Sequence, residues 1–188
     1  NMTEVGHLAG YISQTMGLKK MACIYDLSNR AFTETWYQNF KKAFEKRNGK
    51  IIFTENFTSG KDMTYLEMTR NLLRSNPEGL VLVAGALDSA MICQQLRKLG
   101  SDLPVISSGW GKTPDLIQHG GTAVEGVMIS QTYDDESRNK NYQRFKKALA
   151  ARFGKEADFG SMFGYEAARL LLQALSQDDA QKNLKAAM

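Results

Sequence analysis

Short apolar runs alternate with longer segments of helical periodicity over residues 1–130, and this alternation restricts the possible folds more than any other feature. Five runs are predicted as strands: KKMACIYD, KIIFTENF, GLVLVAG, LPVISS and VEGVMISQ. Their apolar residues are mostly consecutive, which is typical of strands buried on both faces of a parallel sheet. The pattern therefore predicts an α/β fold with a doubly wound, mainly parallel sheet of about five strands in flavodoxin-like order.

The segments between these runs carry their apolar residues at helical spacing. An initial amphipathic helix is predicted to end near Gly17. The segment FTETWYQNFKKAFEKRNG has one apolar face, formed by Phe32, Trp36, Tyr37, Phe40, Ala43 and Phe44. Further helices are predicted over MTYLEMTRNLLRS and over DSAMICQQLRKLG, the second with Ile92, Leu96 and Leu99 inward and Gly100 at its end. Such helices would cover both faces of the sheet.

Beyond Tyr133 the alternation of strands and helices gives way to helices alone. The charged stretch DDESRNKN precedes two helical patterns, YQRFKKALAARFG and MFGYEAARLLLQALS. The second pattern is apolar almost all round, which is typical of a helix buried by neighbours on several sides. Because no strand for a second sheet follows it, we expect these extra C-terminal helices to belong to a larger, truncated arrangement.

Composition and charge argue against several classes of function. The 188 residues are 43% hydrophobic and 23% charged, which is ordinary for a globular chain with one well-buried core. The net charge of +4 comes from 24 basic and 20 acidic residues spread along the sequence, so no dense basic block is available for nucleic acid. No apolar run reaches the length of a membrane span, and NMTEVGHLAGY lacks the apolar segment of a signal peptide, as the mature form of a secreted protein would.

Residues suited to catalysis or metal binding are scarce. Cys23 and Cys93 lie among apolar residues, where thiols behave as small hydrophobic groups, although pairing between them stays open. His7 and His119 are the two histidines, and they lie far apart in the sequence. The sequence therefore predicts no catalytic set, no metal site and no cofactor.

The stretch ISSGWGKTPDL matches half of a phosphate-binding loop. The full pattern requires a glycine five residues before Gly111, where the chain curls its N–H groups around a phosphate. Ile106 occupies that position, and a β-branched residue there indicates the end of a strand. We therefore expect no nucleotide hydrolysis and a solvated Lys112.

The order of the elements resembles that of a known family. GYISQTMGLKKMACIYDLSNRAF, GLVLVAGALDSAMICQQLRKLG, LPVISSGWGKTPDLIQHGGTAVEGVMIS, NYQRFKKALAARFG and FGYEAARLLLQAL follow one another as in the second half of type I periplasmic binding proteins. Within that family, the series is most similar to the branched-chain amino acid and amide receptors of ABC importers. The resemblance implies two α/β lobes with the ligand between them. Residues 1–130 would be the ligand-binding α/β lobe, and residues 131–188 the hinge crossing and helices of the incomplete other lobe.

The same resemblance implies a function. The chain would bind a small solute, amino acid-like, an amide or a small carboxylate, in the periplasm or the extracellular space, and present it to the membrane permease of an ABC importer without catalysis. An alternative is the ligand-sensing domain of a transmembrane receptor or a transcriptional regulator. A response-regulator-like or flavodoxin-like enzyme domain has less support, because Asp26 stands alone after the first strand. Self-association is expected of a truncated chain with exposed apolar surface.

Candidate ligand-binding residues lie where the predicted strands end. In open α/β sheets, ligands bind outside the carboxyl ends of the strands, beside helix N-termini with unsatisfied N–H groups. The residues in these loops are Asn29, Phe32, Gly85, Ala86, Leu87, Asp88, Ser107, Ser108, Gly109 and Trp110. The serine hydroxyls and the backbone would donate to a carboxylate or carbonyl, and the indole of Trp110 would cover an apolar ligand surface.

Two of these residues have an alternative structural role. Phe32 matches the aromatic ligand contact of the family, or it is the first core residue of its helix. Asp88 contacts the ligand, or it caps the N-terminus of its helix. The family often has an aromatic residue near Ala86 and a carboxylate near Trp110 that holds an ammonium group. Neither is present at those positions, which argues against an α-amino acid ligand.

Overall fold

The computed structural model describes residues 2–60 and 64–176, and its central feature is a parallel sheet. Within these residues the strands are β1 Lys20–Asp26, β2 Lys50–Phe57, β3 Gly79–Val83, β4 Val105–Ser107 and β5 Met128–Ile129. They lie in the order β2-β1-β3-β4-β5, and all neighbouring pairs are parallel. The predicted doubly wound, flavodoxin-like order is confirmed, although β4 and β5 are shorter than the apolar runs that predicted them.

A helix precedes the sheet, and others connect consecutive strands. The first helix, α1 Met2–Gly10, continues as a π-helical turn over Tyr11–Thr15. The connecting helices are α2 Arg30–Glu45, α3 Tyr65–Arg74, α4 Ala86–Lys98 and α5 Pro114–Gly120. The predicted end of α4 is confirmed, because Gly100 has a φ of +75° and its N–H donates to the Arg97 carbonyl at 2.9 Å.

Alternate residues of the central strands enter two separate cores. Cys23, Tyr25, Val81 and Val83 pack with α1 and α2 on one face of the sheet. Ala22, Ile24, Leu80 and Leu82 pack with α3 and α4 on the other face. Because both faces are buried, every position of β3 is apolar or glycine, which explains the consecutive runs in the sequence.

The core beside α2 is built around a row of stacked aromatic rings. The ring centroids of Trp36 and Phe40 are 5.5 Å apart, and those of Phe40 and Phe44 are 5.6 Å apart. All three side chains are buried. Phe32, the first member of the predicted apolar face, instead exposes 38% of its surface and is not part of this core. The interpretation of Phe32 as a core residue is therefore wrong.

The two cysteines are unpaired and lie in different cores. Cys23 belongs to the core of α1 and α2, and Cys93 to the core of α3 and α4. Burial raises the pKa of the Cys23 thiol. Burial also raises the pKa of the Cys93 thiol to about 11, and the positive charge of Arg97 opposes this shift. Both groups therefore stay protonated at neutral pH.

The chain forms two compact units, one ending at Thr132 and the other starting at Tyr133. In the second unit, α6 Lys140–Phe153 is capped by Asn139, and α7 Phe159–Leu175 begins with a capping box between Asp158 and Ser161. The rings of Phe145 and Tyr165 join the two helices, with centroids 4.6 Å apart. The exposed large apolar residues of α7 are Phe163, Tyr165, Leu170, Leu171, Leu172 and Leu175.

Phe40→Ala is expected to lower the free energy of unfolding by about 3–5 kcal/mol, because it leaves a cavity in the middle of the aromatic row. Chemical denaturation monitored by circular dichroism measures this change. Ile117→Ala is the control, because Ile117 is 72% exposed on α5. A similar loss of stability in both variants would contradict the central position of Phe40 in the core.

Cys23 and Cys93 are expected to resist a thiol reagent at pH 8 in the folded protein and to react rapidly in denaturant. Unfolding returns both thiols to a pKa of about 8.5, so the reactive thiolate forms only then. Counting modified thiols by mass spectrometry at increasing denaturant tests this. Fast modification of the folded protein would contradict the burial of the two groups.

Candidate functional site

The carboxyl ends of β1, β3 and β4 meet at one edge of the sheet, because these neighbouring strands are parallel. The loops and first helical turns that follow them contain all ten residues proposed from the sequence. We call this surface the strand-end edge and define it by residues 26–33, 84–89 and 107–111. It lies entirely within the first compact unit.

An aromatic pair is the main exposed feature of the strand-end edge. The rings of Phe32 and Trp110 meet edge to face, with centroids 6.2 Å apart and planes at 85°. Phe32 is on α2, and Trp110 lies in the 3-10 turn Gly109–Gly111 that follows β4. Trp110 is half-buried, so both rings keep solvent-facing surface. Such a pair can bind an apolar group of a ligand.

The turn between β3 and α4 presents an uncapped helix start beside this pair. Gly85 is the N-cap residue of α4 and, as a glycine, provides no capping hydrogen bond from a side chain. Ala86 is buried, whereas Leu87 exposes 51% of its surface. Asn29 is the N-cap residue of α2 and is exposed, and its side chain makes no capping hydrogen bond. Leu87 therefore adds apolar surface to the edge, and Asn29 adds an amide.

Asp88 is buried and holds neighbouring segments together. Only 7% of its surface is exposed. Asp88 is the third residue of α4 and Gly85 is the N-cap residue, so the prediction that Asp88 caps the helix is wrong. One carboxylate oxygen, Oδ1, accepts hydrogen bonds from the Ser59 hydroxyl at 3.2 Å and the Tyr65 hydroxyl at 2.5 Å. Asp88 thereby connects α4 to the loop after β2 and to the start of α3.

Asp26 makes a similar connection at the end of β1. Its carboxylate is 1% exposed and accepts hydrogen bonds from the Ser28 N–H at 2.8 Å, the Ser59 N–H at 3.0 Å and the Ser28 hydroxyl. Ser59 thus donates to both buried aspartates. The sequence analysis did not identify Ser59 or Tyr65, because their partners are 23 to 33 positions away in the chain and form no motif with them.

The two serines at the end of β4, Ser107 in the strand and Ser108 just after it, lie beneath the exposed surface. Ser107 and Ser108 are fully buried, and the Ser107 hydroxyl donates to the Ser108 carbonyl at 3.1 Å. The Ser108 hydroxyl has no hydrogen-bond partner within the described residues. Gly109 is half-buried. In this structure, Trp110 and Gly109 are therefore the residues of the loop that face outward.

The same loop does not form a phosphate cradle. Ile106 is buried in β4, and the N–H groups of Gly111, Lys112 and Thr113 donate to carbonyls within the loop at 3.0–3.2 Å. Lys112 was expected to be solvated, but it is half-buried and its ammonium donates to the Gln131 side chain at 2.9 Å. The loop is closed by its own hydrogen bonds and has no free N–H groups aimed at a ligand from these positions.

The histidines lie away from the strand-end edge: His7 is exposed on α1, and His119 is exposed in the last turn of α5. Over residues 2–60 and 64–176, no group of three or more His, Cys, Asp or Glu side chains is close enough together to hold a metal ion. In the same residues, no helix combines the length and apolar character needed to cross a membrane.

A cleft lies beside α1 and β5. This cleft has a volume of about 480 Å³ and includes Glu4, His7, Tyr11, Met128 and Gln131 in its lining. The Ser130 hydroxyl donates to Glu4 at 2.7 Å at one side of it. Nothing in the sequence pattern indicated this cleft, because it brings together residues from the two ends of the first unit.

Comparison with known proteins gives the family. The family profile described as "Periplasmic binding protein" matches residues 2–188. No curated protein matches the chain. A leucine-binding protein from Thermotoga maritima is structurally similar, with a TM-score of 0.82 and 22% identity, covering 93% of this chain and 49% of that one.

Two further solved structures show the same fold. The branched-chain amino acid transporter substrate-binding protein from Streptococcus pneumoniae, in complex with isoleucine, has a TM-score of 0.76 and 16% identity and covers 97% of this chain and 52% of that one. A solute-binding protein of an ABC transporter from R. palustris, in complex with 4-hydroxybenzoate, has a TM-score of 0.81 and 17% identity. It covers 100% of this chain and 52% of that one. The chain spans about half the length of these proteins, and the family match over residues 2–188 shows that it belongs to the periplasmic binding proteins.

Proposed function

We propose that this chain is part of an extracytoplasmic receptor that binds a small solute for uptake by an ABC importer and catalyses no reaction. The observation that carries the proposal is the exposed pair of Phe32 and Trp110 at the carboxyl ends of the strands. Two rings that expose apolar surface at the carboxyl ends of parallel strands are suited to binding a solute. The membership of the chain in the periplasmic binding proteins supports the same function.

The solute in this proposal is amino acid-like, an amide or a small carboxylate. Structurally similar proteins include a leucine-binding protein, a complex with isoleucine and a complex with 4-hydroxybenzoate. All three compounds carry a carboxylate and an apolar group. The strand-end edge, which includes the ten residues named above, would provide one wall of the binding site. Trp110 and Phe32 would contact the solute directly, and the buried Asp88, Ser107 and Ser108 would lie behind them.

The remaining part of the site would come from a second lobe. The proposed ligand-binding lobe is residues 1–130, and residues 131–188 would form a hinge crossing and helices of the other lobe. The division into compact units at Thr132 and Tyr133 is compatible with this assignment. The half-length coverage of the similar structures also supports it. The partner of the closed receptor would be a membrane permease.

Trp110→Ala is expected to weaken solute binding by about tenfold or more, because a buried aromatic contact of a ligand is worth about 1–2 kcal/mol or more. Titrations of the chain with leucine, isoleucine, acetamide and 4-hydroxybenzoate, followed by calorimetry, measure the affinity. With only one wall of the site, the dissociation constant is expected near 1 mM, equivalent to about 4 kcal/mol.

Ile117→Ala serves as the control in these titrations, because it removes an exposed apolar side chain that is not part of the strand-end edge. It should bind like the unmodified chain. If the Trp110→Ala variant binds these solutes as tightly as the unmodified chain does, the aromatic pair is not part of the binding site.

Self-association is a separate part of the proposal. Four leucines of α7 are exposed, and exposed apolar surface tends to be covered by another molecule. The chain is expected to sediment as a mixture of monomer and larger species at high concentration. Replacing Leu170 and Leu172 by Gln should shift it toward monomer, whereas Ile117→Gln should not. A monomer at all concentrations would contradict this prediction.

A further inference from the structure

We infer that the strand-end edge binds an uncharged apolar group of the solute, favouring a ring, and that it does not bind a solute ammonium group. This inference rests on the proposed solute-binding function and narrows its ligand class. The solutes it favours are carboxylates or amides with an aromatic or branched aliphatic group and no amino group beside the carboxylate. Three features of the edge lead to it: its exposed surface, its two buried carboxylates and the position of the other acidic residues.

Three large apolar side chains are exposed or half-buried at the edge: Phe32, Trp110 and Leu87, which follow three adjacent strands. Ser28, Asn29 and Arg30 are exposed near Phe32 in the sequence and add polar groups and one positive charge. Since Phe32 and Trp110 already meet edge to face, a ligand ring can extend the same arrangement with a further edge-to-face or offset contact. A solute group held against these apolar side chains gives up part of its water, which disfavours a charged group there.

The carboxylate of Asp26 is not available to a solute. It is 1% exposed and accepts two N–H hydrogen bonds and one hydroxyl hydrogen bond from Ser28 and Ser59. A carboxylate has about four acceptor positions, so three of those of Asp26 are occupied. The negative charge of Asp26 is therefore stabilised from within the protein.

The carboxylate of Asp88 is engaged in the same way. Its Oδ1 accepts from the Ser59 and Tyr65 hydroxyls, and the residue lies in the first turn of α4, where the helix dipole favours a negative charge. Desolvation raises the pKa of Tyr65, and the hydrogen bond to Asp88 raises it further, so the phenol stays a donor. Asp88 acts as a positioning residue: it fixes the turn that carries Leu87.

Among the described residues, the other acidic side chains near the edge already have partners or are exposed. Glu4, on α1, accepts a hydrogen bond from the Ser130 hydroxyl at 2.7 Å. Glu34 pairs with Arg30 at 2.7 Å on the exposed side of α2. Asp115 is exposed on α5 and accepts a hydrogen bond from Thr113 at 3.3 Å. Exposed carboxylates attract a cation weakly, because water and salt screen the charge. Within residues 2–60 and 64–176, the edge therefore offers a solute ammonium no buried carboxylate that lacks a hydrogen-bond partner.

Pairs of probes that differ only in the amino group test this inference. These are 3-phenylpropanoate against phenylalanine, and 4-methylpentanoate against leucine. The chain has two tryptophans, so its proton NMR spectrum contains two indole N–H signals, and Trp110→Phe identifies that of Trp110. The signal of Trp36, which is 2% exposed in the core, is the internal control.

Each probe without the amino group is expected to shift the Trp110 signal saturably, with a dissociation constant at least about tenfold lower than that of its amino acid. The Trp36 signal should stay in place. If an amino acid binds as tightly as its partner or more tightly, the inference is wrong and the proposed function stands. If no probe shifts the Trp110 signal, the inference and the proposed function are both wrong. Tighter binding of choline than of 3-phenylpropanoate would also overturn the inference, because it would show cation binding by the rings.

Asp88→Asn separates the positioning role from ammonium binding. The amide oxygen can still accept from Ser59 and Tyr65, and any loss of affinity should be equal, within about threefold, for the two probes of a pair. A selective loss of phenylalanine and leucine binding would show that Asp88 holds the ammonium group and would overturn the inference. Tyr65→Phe removes one hydrogen-bond donor but keeps the ring, so it should weaken the binding of both probes of a pair equally. A loss of affinity confined to phenylalanine and leucine would also overturn the inference.

Discussion

The structure depends on a parallel sheet that has to be covered on both faces. Each strand of such a sheet is followed by a crossover that returns the chain to the starting edge, and in this chain the crossovers are helices. The two cores exist for this reason, with successive residues of β1 and β3 entering opposite ones. The same constraint places the carboxyl ends of β1, β3 and β4 side by side, so one edge collects loops from residues far apart in the chain.

Hydrogen bonds to buried carboxylates hold that edge in shape. Burying Asp26 and Asp88 is unfavourable unless their oxygens are satisfied, and donors from Ser28, Ser59 and Tyr65 satisfy them. Ser59 contacts both, so the loop after β2 is tied to β1 and to α4 at one point. The buried carboxylates are thus satisfied within the protein, while Phe32 and Trp110 keep solvent-facing surface at the same edge.

The helices of the second unit depend on capping groups and one aromatic contact rather than on a sheet. Its helices have well-formed N-terminal caps, at Asn139 and at Asp158 with Ser161, and they join through Phe145 and Tyr165. Local signals are therefore sufficient to start both helices. The leucines of α7 are nonetheless exposed, so most of its apolar surface contributes nothing to the stability of the described unit. In the two-lobed arrangement that we propose, this surface would belong to the other lobe.

The sequence alone determined the strands, the connecting helices and their order, because burial on two faces and helical periodicity are local patterns. It also indicated that Trp110 is not a core residue and that Ile106 rules out a phosphate loop, since both follow from neighbouring residues. The roles of Phe32 and Asp88 were decided only by the tertiary structure. Phe32 lies on the apolar face of α2 but beyond the end of the sheet, where it meets Trp110 instead of the core. Asp88 has the spacing of a capping residue, yet its partners, Ser59 and Tyr65, are 29 and 23 residues away. A hydrogen bond between such distant residues has no periodic signature, so it becomes visible only once the strands are paired.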